Sequence, residues 1–287
     1  MTNLTNNLKT ASLLALMVAI FGIAGTAWGT GGMIIGLLLG GSGAAISFFF
    51  SDRIAIAAMR AQPLDPNEQR TIGGTSFSPA QLHAMTAELA ERAGLPMPAL
   101  YVCPHRAPNA FATGRSPKKA AVAVTVGLLE FMDHDEVEGV IAHELAHIKH
   151  RDTLISAVVA VMAGTLGVLA YWGFMLGANR NANPLVLIGA VLLSLIAAPL
   201  IKMAISRSRE YAADREAAIL VGSPRGLMSG LNKLDQLASR IPLDQPNPAQ
   251  NNLFIVEPLT ATKTLSNLFA THPPVEKRVA ELAKLEA

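Results

Sequence analysis

Two histidines and a glutamate near the middle of the chain have the spacing of a metal-binding motif. They are His143, Glu144 and His147, in a His-Glu-x-x-His pattern. On an α-helix the two histidines lie about 40° apart around the axis and about 6 Å apart along it, so both imidazoles can bind one ion. Glu144 lies beside them, where a general base could take a proton from an activated water molecule. The alternative is an ordinary amphipathic turn with two histidines.

A catalytic zinc ion usually takes three protein ligands, so this motif needs a partner elsewhere in the chain. His150 lies on nearly the same helix face as His143, but too far along the axis, and we expect it at the surface or behind the ligands. Thr153 stands where a longer pattern would need a third histidine. Glu210 and Asp214, at i and i+4, are better candidates: Glu210 could bind zinc and Asp214 could accept the outer N–H of a histidine ligand. The alternative is an exposed helix with i,i+4 ion pairs.

Capping signals predict the helices that carry these residues. Asp133 to Glu136 form a capping box at the start of the zinc helix, and the pattern allows this helix to continue directly into the apolar run after Thr153. The segment from Ser206 to Val221 is predicted to be a second helix, ended by Gly222. We therefore expect the site to be assembled from two helices that are distant in sequence.

The flanking polar segments predict a small sheet and further helices. Residues 62–77 have the composition of a linker, and Ser78 with Pro79 opens a helix that ends near Gly94. The predicted strands cover 99–103, 110–113 and 120–126. Further helices are predicted after Ser223 and after Pro274. The intervening residues 241–258, with four prolines, are predicted to be a lid or a disordered loop.

Long uncharged runs predict a membrane protein. Only 15% of the 287 residues are charged, and no charged residue occurs in three runs, at 10–51, 153–179 and 181–201. We predict four transmembrane helices, at about 11–28, 33–50, 154–176 and 184–201, with a turn at 29–32 in the first hairpin. The alternatives are buried core helices and, for the first run, a cleaved signal peptide, although the closely following second run favours an uncleaved anchor.

The distribution of basic residues predicts the orientation. The predicted turn of the first hairpin has no Lys or Arg and that of the second has only Arg180, so the positive-inside rule places both termini and the motif in the cytoplasm. The corresponding domains are 1–52, an N-terminal transmembrane hairpin; 53–152, the first part of a cytoplasmic domain, with the His-Glu-x-x-His helix; 153–202, a second hairpin; and 203–287, the second part of the cytoplasmic domain, with Glu210.

Several classes of function are disfavoured by the composition. A net charge of +2 and the absence of a basic cluster argue against nucleic acid as a partner. The predicted spans have no ionisable residue near their middle, which disfavours a pump or transporter. Cys103 is the only cysteine, so an internal disulfide is excluded, and we expect a small buried residue on a strand.

The order of these motifs resembles the HtpX family of bacterial membrane-bound zinc metalloproteases, which is related to the type I CAAX prenyl endopeptidases. The resemblance covers essentially the whole chain. It includes the two leading spans, the zinc helix, the second hairpin and the Glu210-x-x-x-Asp214 pattern. It also includes Asn109-Ala110-Phe111-Ala112 and the segment from Thr271 to Arg278.

The resemblance implies roles for particular residues. It implies that Glu210 is the third zinc ligand and that Asp214 lies behind the ligands. It further implies that an edge strand, with Asn109, Ala110, Phe111 and Ala112, binds the substrate peptide, and that His272 and Arg278 bind the substrate and the developing oxyanion.

The implied fold is a mainly α integral membrane protein with a cytoplasmic α+β zincin-like domain and a small β-sheet. The implied function is a zinc-dependent endopeptidase of the bacterial cytoplasmic membrane, with one Zn²⁺ per subunit, that acts on misfolded or damaged membrane proteins in quality control. Its partners would be unfolded or membrane-protein substrates and the lipid bilayer. The alternatives are a CAAX-type processing endopeptidase and a non-enzymatic membrane scaffold with structural histidines.

Overall fold

The computed structural model describes residues 2–26, 29–156, 158, 207–238, 240–241 and 273–286. The chain divides into two compact units, Met1–Ser51 with Leu154–Ile205 and Asp52–Thr153 with Ser206–Ala287. The predicted spans at 154–176 and 184–201, the predicted loop at 241–258 and His272 lie mostly or wholly outside the described residues. The predicted division into domains at 1–52, 53–152, 153–202 and 203–287 stays a prediction.

Two apolar helices lie in the described part of the first unit, and the second of them continues beyond Ser51. Helix α1 covers Thr2–Gly25 and helix α2 covers Gly29–Ala58, with a non-helical residue at Phe50. The segments Asn6–Ile23 and Gly29–Ala58 are long and apolar enough to cross a membrane. The helices approach closely, since a Cβ on Gly36 would lie 2.2 Å from the backbone oxygen of Phe21. The predicted turn at 29–32 was wrong because α2 already begins at Gly29.

A four-stranded sheet lies in the second unit. The strands are β1 (Gln62–Pro63), β2 (Ala99–Cys103), β3 (Ala110–Gly114) and β4 (Ala120–Thr125). Their order is β1-β2-β4-β3, with β2 and β4 parallel and the other pairs antiparallel. The β1 pairing lies inside the predicted linker, which corrects that prediction. Among the described strands, β3 therefore forms one edge of the sheet.

Cys103 lies at the end of β2 and is buried. Burial raises the pKa of its thiol to about 12, so the thiol stays protonated and unreactive. The prediction of a small buried residue on a strand is confirmed.

Three helices belong to the same part of the chain. Helix α3 (Pro79–Ala93) lies between β1 and β2 in sequence, and α4 (Val126–Phe131) and α5 (His134–His150) follow β4. Capping boxes at Ser78 and Asp133 begin α3 and α5, as predicted. Helix α5 does not run on into the next apolar segment, because Arg151 adopts a left-handed conformation with φ 59° and ψ 35° and ends it. The predicted continuous helix was therefore wrong.

Three later helices lie in the described part of the second unit: α6 (Arg207–Val221), α7 (Arg225–Ala238) and α8 (Val275–Ala283). Helices α5 and α7 touch through their backbones, because a Cβ on Gly139 would lie 2.6 Å from the backbone nitrogen of Leu227. Beside this contact, the buried Glu136 carboxylate accepts hydrogen bonds from Ser229 Oγ at 2.5 Å and Lys233 Nζ at 2.6 Å. These contacts fix the start of α5 on α7.

Candidate metal centre

Helix α5 presents both histidines of the motif on one face. The His143 side chain is 1% exposed and the His147 side chain 14% exposed, and their Nε2 atoms are 3.1 Å apart. At this distance the two nitrogens can bind the same metal ion or share one proton. Leaving both buried nitrogens without such a partner would cost free energy of folding. The helix thus directs two nitrogen donors to one point.

Helix α6 directs a carboxylate to the same point. Glu210 Oε2 lies 3.7 Å from His143 Nε2, and Glu210 Oε1 lies 3.7 Å from His147 Nε2. Among the described residues, His143, His147 and Glu210 offer ligand atoms that all lie within 4.8 Å of one another. The structure brings together the three side chains that the sequence and the resemblance gave as ligands.

Glu144 is held between the helix and the sheet. It is 4% exposed, and its Oε2 accepts a hydrogen bond from the backbone N–H of Ala112 at 2.6 Å. Since β3 is an edge strand, the Ala112 N–H can point away from β4 and towards this carboxylate. The carboxylate beside the donor cluster is therefore attached to the edge strand β3.

An aspartate and an arginine lie behind His143. Asp214 Oδ1 is 3.0 Å from His143 Nδ1, and Arg278 donates from Nε and Nη2 to the two Asp214 oxygens at 2.8 and 2.6 Å. Burial acts to raise the pKa of Asp214, but the charge and hydrogen bonds of Arg278, with those of His143, lower it to about 2. Asp214 is therefore a permanent carboxylate at the outer nitrogen of His143.

Arg278 is more deeply buried than expected for a residue that contacts a bound peptide directly. Its side chain is fully buried, and Nη1 has no hydrogen-bond partner within the described part of the chain, lying 3.9 Å from Glu210 Oε2. Burial acts to lower the pKa of the guanidinium, but the charges of Asp214, Glu210 and Glu144 and the hydrogen bonds to Asp214 raise it above its ordinary value. Arg278 is thus the charge that balances these carboxylates.

A second aspartate, Asp152, lies behind His147. Its Oδ2 is 3.2 Å from His147 Nδ1, and its Oδ1 is 3.4 Å from Arg209 Nη1. Burial acts to raise the pKa of Asp152, but His147 and Arg209 bring it below its ordinary value. Sequence reasoning missed Asp152 because, on a helix continued from α5, its side chain would lie on a different face from His147. The sequence signal that could have indicated Asp152 is an acidic residue directly after the last turn of the helix.

The electrostatics of the centre favour a bound cation. Burial acts to lower the pKa of His147, yet the charge of Glu210, the hydrogen bond to Asp152 and the charges of Glu144 and Asp152 raise it to about 9. The carboxylates thus stabilise positive charge at this point, whether a proton or a metal ion. His150 is half-buried, and burial lowers its pKa.

The edge-strand residues lie close to this centre. Asn109 and Ala110 are fully buried, Phe111 is buried against Cys103 and Ala123, and Ala112 contacts Glu144 as described. Asn109 is fixed by Thr125, whose Oγ1 accepts from the Asn109 N–H at 2.9 Å. Of the predicted substrate-binding residues, His272 lies outside the described part of the chain.

The histidine–glutamate helix, the carboxylate from a second helix and the adjacent edge strand together define a metallopeptidase centre. The chain belongs to peptidase family M48, whose sequence pattern matches residues 77–286. It is 43% identical to a "Protease HtpX homolog" from Desulforapulum autotrophicum, over 96% of this chain and 89% of that one. It is 44% identical to a "Protease HtpX homolog" from Nostoc punctiforme, over 98% of this chain and 96% of that one.

A solved structure has a similar fold. The crystal structure of S. mikatae Ste24p is similar with a TM-score of 0.52 and 18% sequence identity, covering 95% of this chain. The chain spans 62% of the length of that Ste24p chain. The family and the two apolar N-terminal helices identify a membrane metalloendopeptidase, and the expected resemblance to the HtpX proteins is confirmed.

Proposed function

We propose that this chain is a zinc endopeptidase in which His143, His147 and Glu210 bind the metal ion and Glu144 is the general base. The convergence of the three donor side chains supports the proposal. In a tetrahedral zinc site with ligand bonds of 2.0–2.1 Å, ligand atoms are separated by about 3.3 Å. The separations of 3.1, 3.7 and 3.7 Å fit a zinc ion after small side-chain adjustments. Two imidazoles and one carboxylate also form a common catalytic zinc ligand set.

Glu144 is placed to move the proton in this proposal. His143, His147 and Glu210 would hold the zinc ion, which would supply Lewis acidity for water activation and for polarisation of the scissile carbonyl. Glu144 takes the proton of the attacking water and passes it to the leaving amine. The hydrogen bond from the Ala112 N–H holds one carboxylate oxygen, so the other oxygen is oriented for proton transfer.

Strand β3 is the proposed substrate-binding edge. A substrate peptide would pair as an additional strand beside Ala110–Gly114 through main-chain groups other than the Ala112 N–H, which bonds Glu144, and this pairing would place the scissile bond near Glu144. Arg278 is proposed to hold Asp214 and to stabilise negative charge through Nη1. Its direct contact with substrate, and the role of His272, stay predictions.

The proposed setting is the bacterial cytoplasmic membrane, with a multi-pass chain and the active site on the cytoplasmic side. The proposed substrates are misfolded membrane proteins or unfolded polypeptides. A reporter fused at Asn181 tests the orientation, because the proposal places this position outside the cytoplasm. A cytoplasmic reporter signal would contradict the orientation.

The catalytic proposal is tested with Glu144→Gln in the purified full-length protein. We expect casein cleavage to fall by roughly 10²–10⁴-fold or more, while one zinc ion per chain is retained. Glu91→Gln is the control, since Glu91 lies exposed on α3 and belongs to neither group of clustered metal-binding side chains. If Glu144→Gln cleaved casein at the wild-type rate, the assignment of the general base would be wrong.

A further inference from the structure

Helix α5 ends with a reversal that brings the chain back to one of its own histidines. Arg151 has φ 59° and ψ 35°, and its N–H bonds to the backbone oxygens of His147 and Ile148. On a continuous helix Asp152 would lie about 140° around the axis from His147, and the two side chains could not meet. The left-handed residue changes this direction, and Asp152 contacts His147 although only five residues separate them.

Asp152 contacts the nitrogen of His147 that faces away from the donor cluster. Its carboxylate is 3% exposed and its Oδ2 lies 3.2 Å from Nδ1, whereas Nε2 of the same ring faces Glu210. A carboxylate at Nδ1 favours the tautomer with a proton on Nδ1, which leaves the lone pair of Nε2 for a metal ion. The contact therefore fixes both the ring orientation and the donor atom.

The other Asp152 oxygen connects this histidine to a second helix. Arg209 Nη1 lies 3.4 Å from Asp152 Oδ1, and Arg209 directly precedes Glu210 on α6. The reversed segment is also anchored at Thr153, whose Oγ1 donates to the backbone oxygen of Gly114 at 2.8 Å. Asp152 thus bridges the end of α5 and the start of α6.

We propose that Asp152 is a positioning residue for His147, and that Arg209 holds Asp152 so that His147 and Glu210 stay at metal-binding distance. The inference rests on the proposed function, because it takes both residues as ligands of one metal ion. Neither Asp152 nor Arg209 acts on the substrate. Their effect is on the affinity of the centre for the metal and on the geometry of its ligands.

The first measurement is the zinc affinity of the full-length protein in detergent, obtained by competition with a chelator and compared at alkaline pH, where no proton competes for the histidine nitrogens. We expect Asp152→Ala to weaken zinc binding by about 10–100-fold. Asp152→Asn is expected to lose less, because its side-chain oxygen can still accept from Nδ1 while the charge is removed. With Co²⁺ as the probe, Asp152→Ala is expected to change the visible absorption bands, which report ligand geometry.

Substitution of Arg209 tests whether Asp152 positions His147 or whether Asp152→Ala only disrupts the fold. Arg209→Gln is expected to weaken zinc binding by a few-fold, and to have no further effect when Asp152 is already alanine. Arg215→Gln is the matched control, because Arg215 lies exposed on the same helix, and it is expected to bind zinc like the wild type. If Asp152→Ala does not fold, the comparison of Asp152→Asn, Arg209→Gln and Arg215→Gln carries the test.

The outcomes distinguish this inference from the proposed function. A wild-type protein without stoichiometric zinc would contradict the proposed function itself. Zinc binding by the wild type with unchanged affinity and Co²⁺ spectrum in Asp152→Ala would overturn the inference alone. Independent, additive losses from Asp152→Ala and Arg209→Gln would also overturn it, because Arg209 would then not act through Asp152.

Discussion

The two histidines of the metal centre are supported by the same arrangement in two different settings. Each ring has a carboxylate at its outer nitrogen and an arginine on that carboxylate. Behind His143 these are Asp214 and Arg278, and behind His147 they are Asp152 and Arg209. The first group is assembled from three helices that are distant in sequence, and the second depends on a chain reversal within a few residues.

The settings differ in burial and in geometry. Arg278 is fully buried and bonds both Asp214 oxygens at 2.6 and 2.8 Å, whereas the Arg209 side chain is 14% exposed and makes one contact with Asp152 at 3.4 Å. Both aspartates are buried, so the two settings differ in their arginines: Arg278 makes two short charge-assisted hydrogen bonds and Arg209 makes one long contact. We call Asp214 with Arg278 the His143 side and Asp152 with Arg209 the His147 side. We expect the His143 side to contribute more to folding stability and the His147 side to affect mainly the affinity for the metal ion.

Removing the arginines should separate the two sides most strongly. Arg278→Leu leaves Asp214 buried without its counterion and is expected to cost about 3–5 kcal/mol of folding stability. Arg209→Gln is expected to cost less, about 1–2 kcal/mol, because it removes one long contact and the glutamine amide can still donate to the buried Asp152 carboxylate. Thermal unfolding of the metal-free variants in detergent measures both. Equal destabilisation by the two substitutions would contradict the distinction between the sides.

The His147 side should show a proton that competes with the metal. The pKa of His147 is raised from 6.5 to about 9, so its contribution to metal-free stability is complete below about pH 6.5 and is lost as the pH rises through 9. Because zinc must displace this proton, the apparent zinc affinity should rise by about tenfold per pH unit between about pH 7 and 9. Chelator competition across this range measures the slope.

Asp152→Ala sharpens this test. It removes a hydrogen bond and a charge that raise the pKa of His147, so the rise in zinc affinity should level off at a lower pH. Arg215→Gln should retain the wild-type profile. A flat affinity between pH 7 and 9 in the wild type would contradict the assignment of the competing proton.

The His143 side should respond to acid instead. The pKa of Asp214 falls from 3.8 to about 2, so its contribution is present above about pH 4 and is lost as the pH falls towards 2. Its size is on the order of 2 kcal/mol. The unfolding temperature of the metal-free protein over this range measures it, and Asp214→Asn should lack that part of the acid dependence. An unchanged acid profile in Asp214→Asn would refute the assignment.

The smallest expected effect concerns the reversal itself. Arg151 occupies a left-handed conformation that glycine adopts without a steric penalty. Arg151→Gly is expected to leave zinc affinity unchanged and to raise stability by about 1 kcal/mol or less. Arg60→Gly is the comparison, since Arg60 also has a positive φ, of 49°. Thermal unfolding and chelator competition test both, and a loss of zinc affinity in Arg151→Gly would mean that the arginine side chain itself supports the centre.

Local signals were sufficient to predict much of the second unit from the sequence. The capping boxes at Ser78 and Asp133 gave the starts of α3 and α5, because a side chain that satisfies terminal N–H groups acts within one turn. The β2 bounds, Ala99–Cys103, were predicted correctly as a short extended segment. The spacing of His143 and His147 predicted their convergence, since it depends only on helix geometry.

Tertiary contacts were not predictable in the same way. Asp214 and Arg278 were both singled out, but their pairing joins residues 64 positions apart and depends on how α6 and α8 pack. The reversal at Arg151 was missed because arginine has no preference for left-handed backbone. The β1 strand was missed because two residues with a proline carry almost no strand signal until β2 is beside them.

The central claim is that one metal ion is held by two helices, and removal of the α6 ligand tests it most directly. The measurement is the zinc content and zinc affinity of purified Glu210→Ala, with Glu216→Ala as control, because Glu216 lies on the same helix and contacts Lys149 instead of the centre. We predict one zinc ion per chain in the wild type and in Glu216→Ala, and loss of most zinc from Glu210→Ala. Stoichiometric zinc at wild-type affinity in Glu210→Ala would contradict the two-helix metal site.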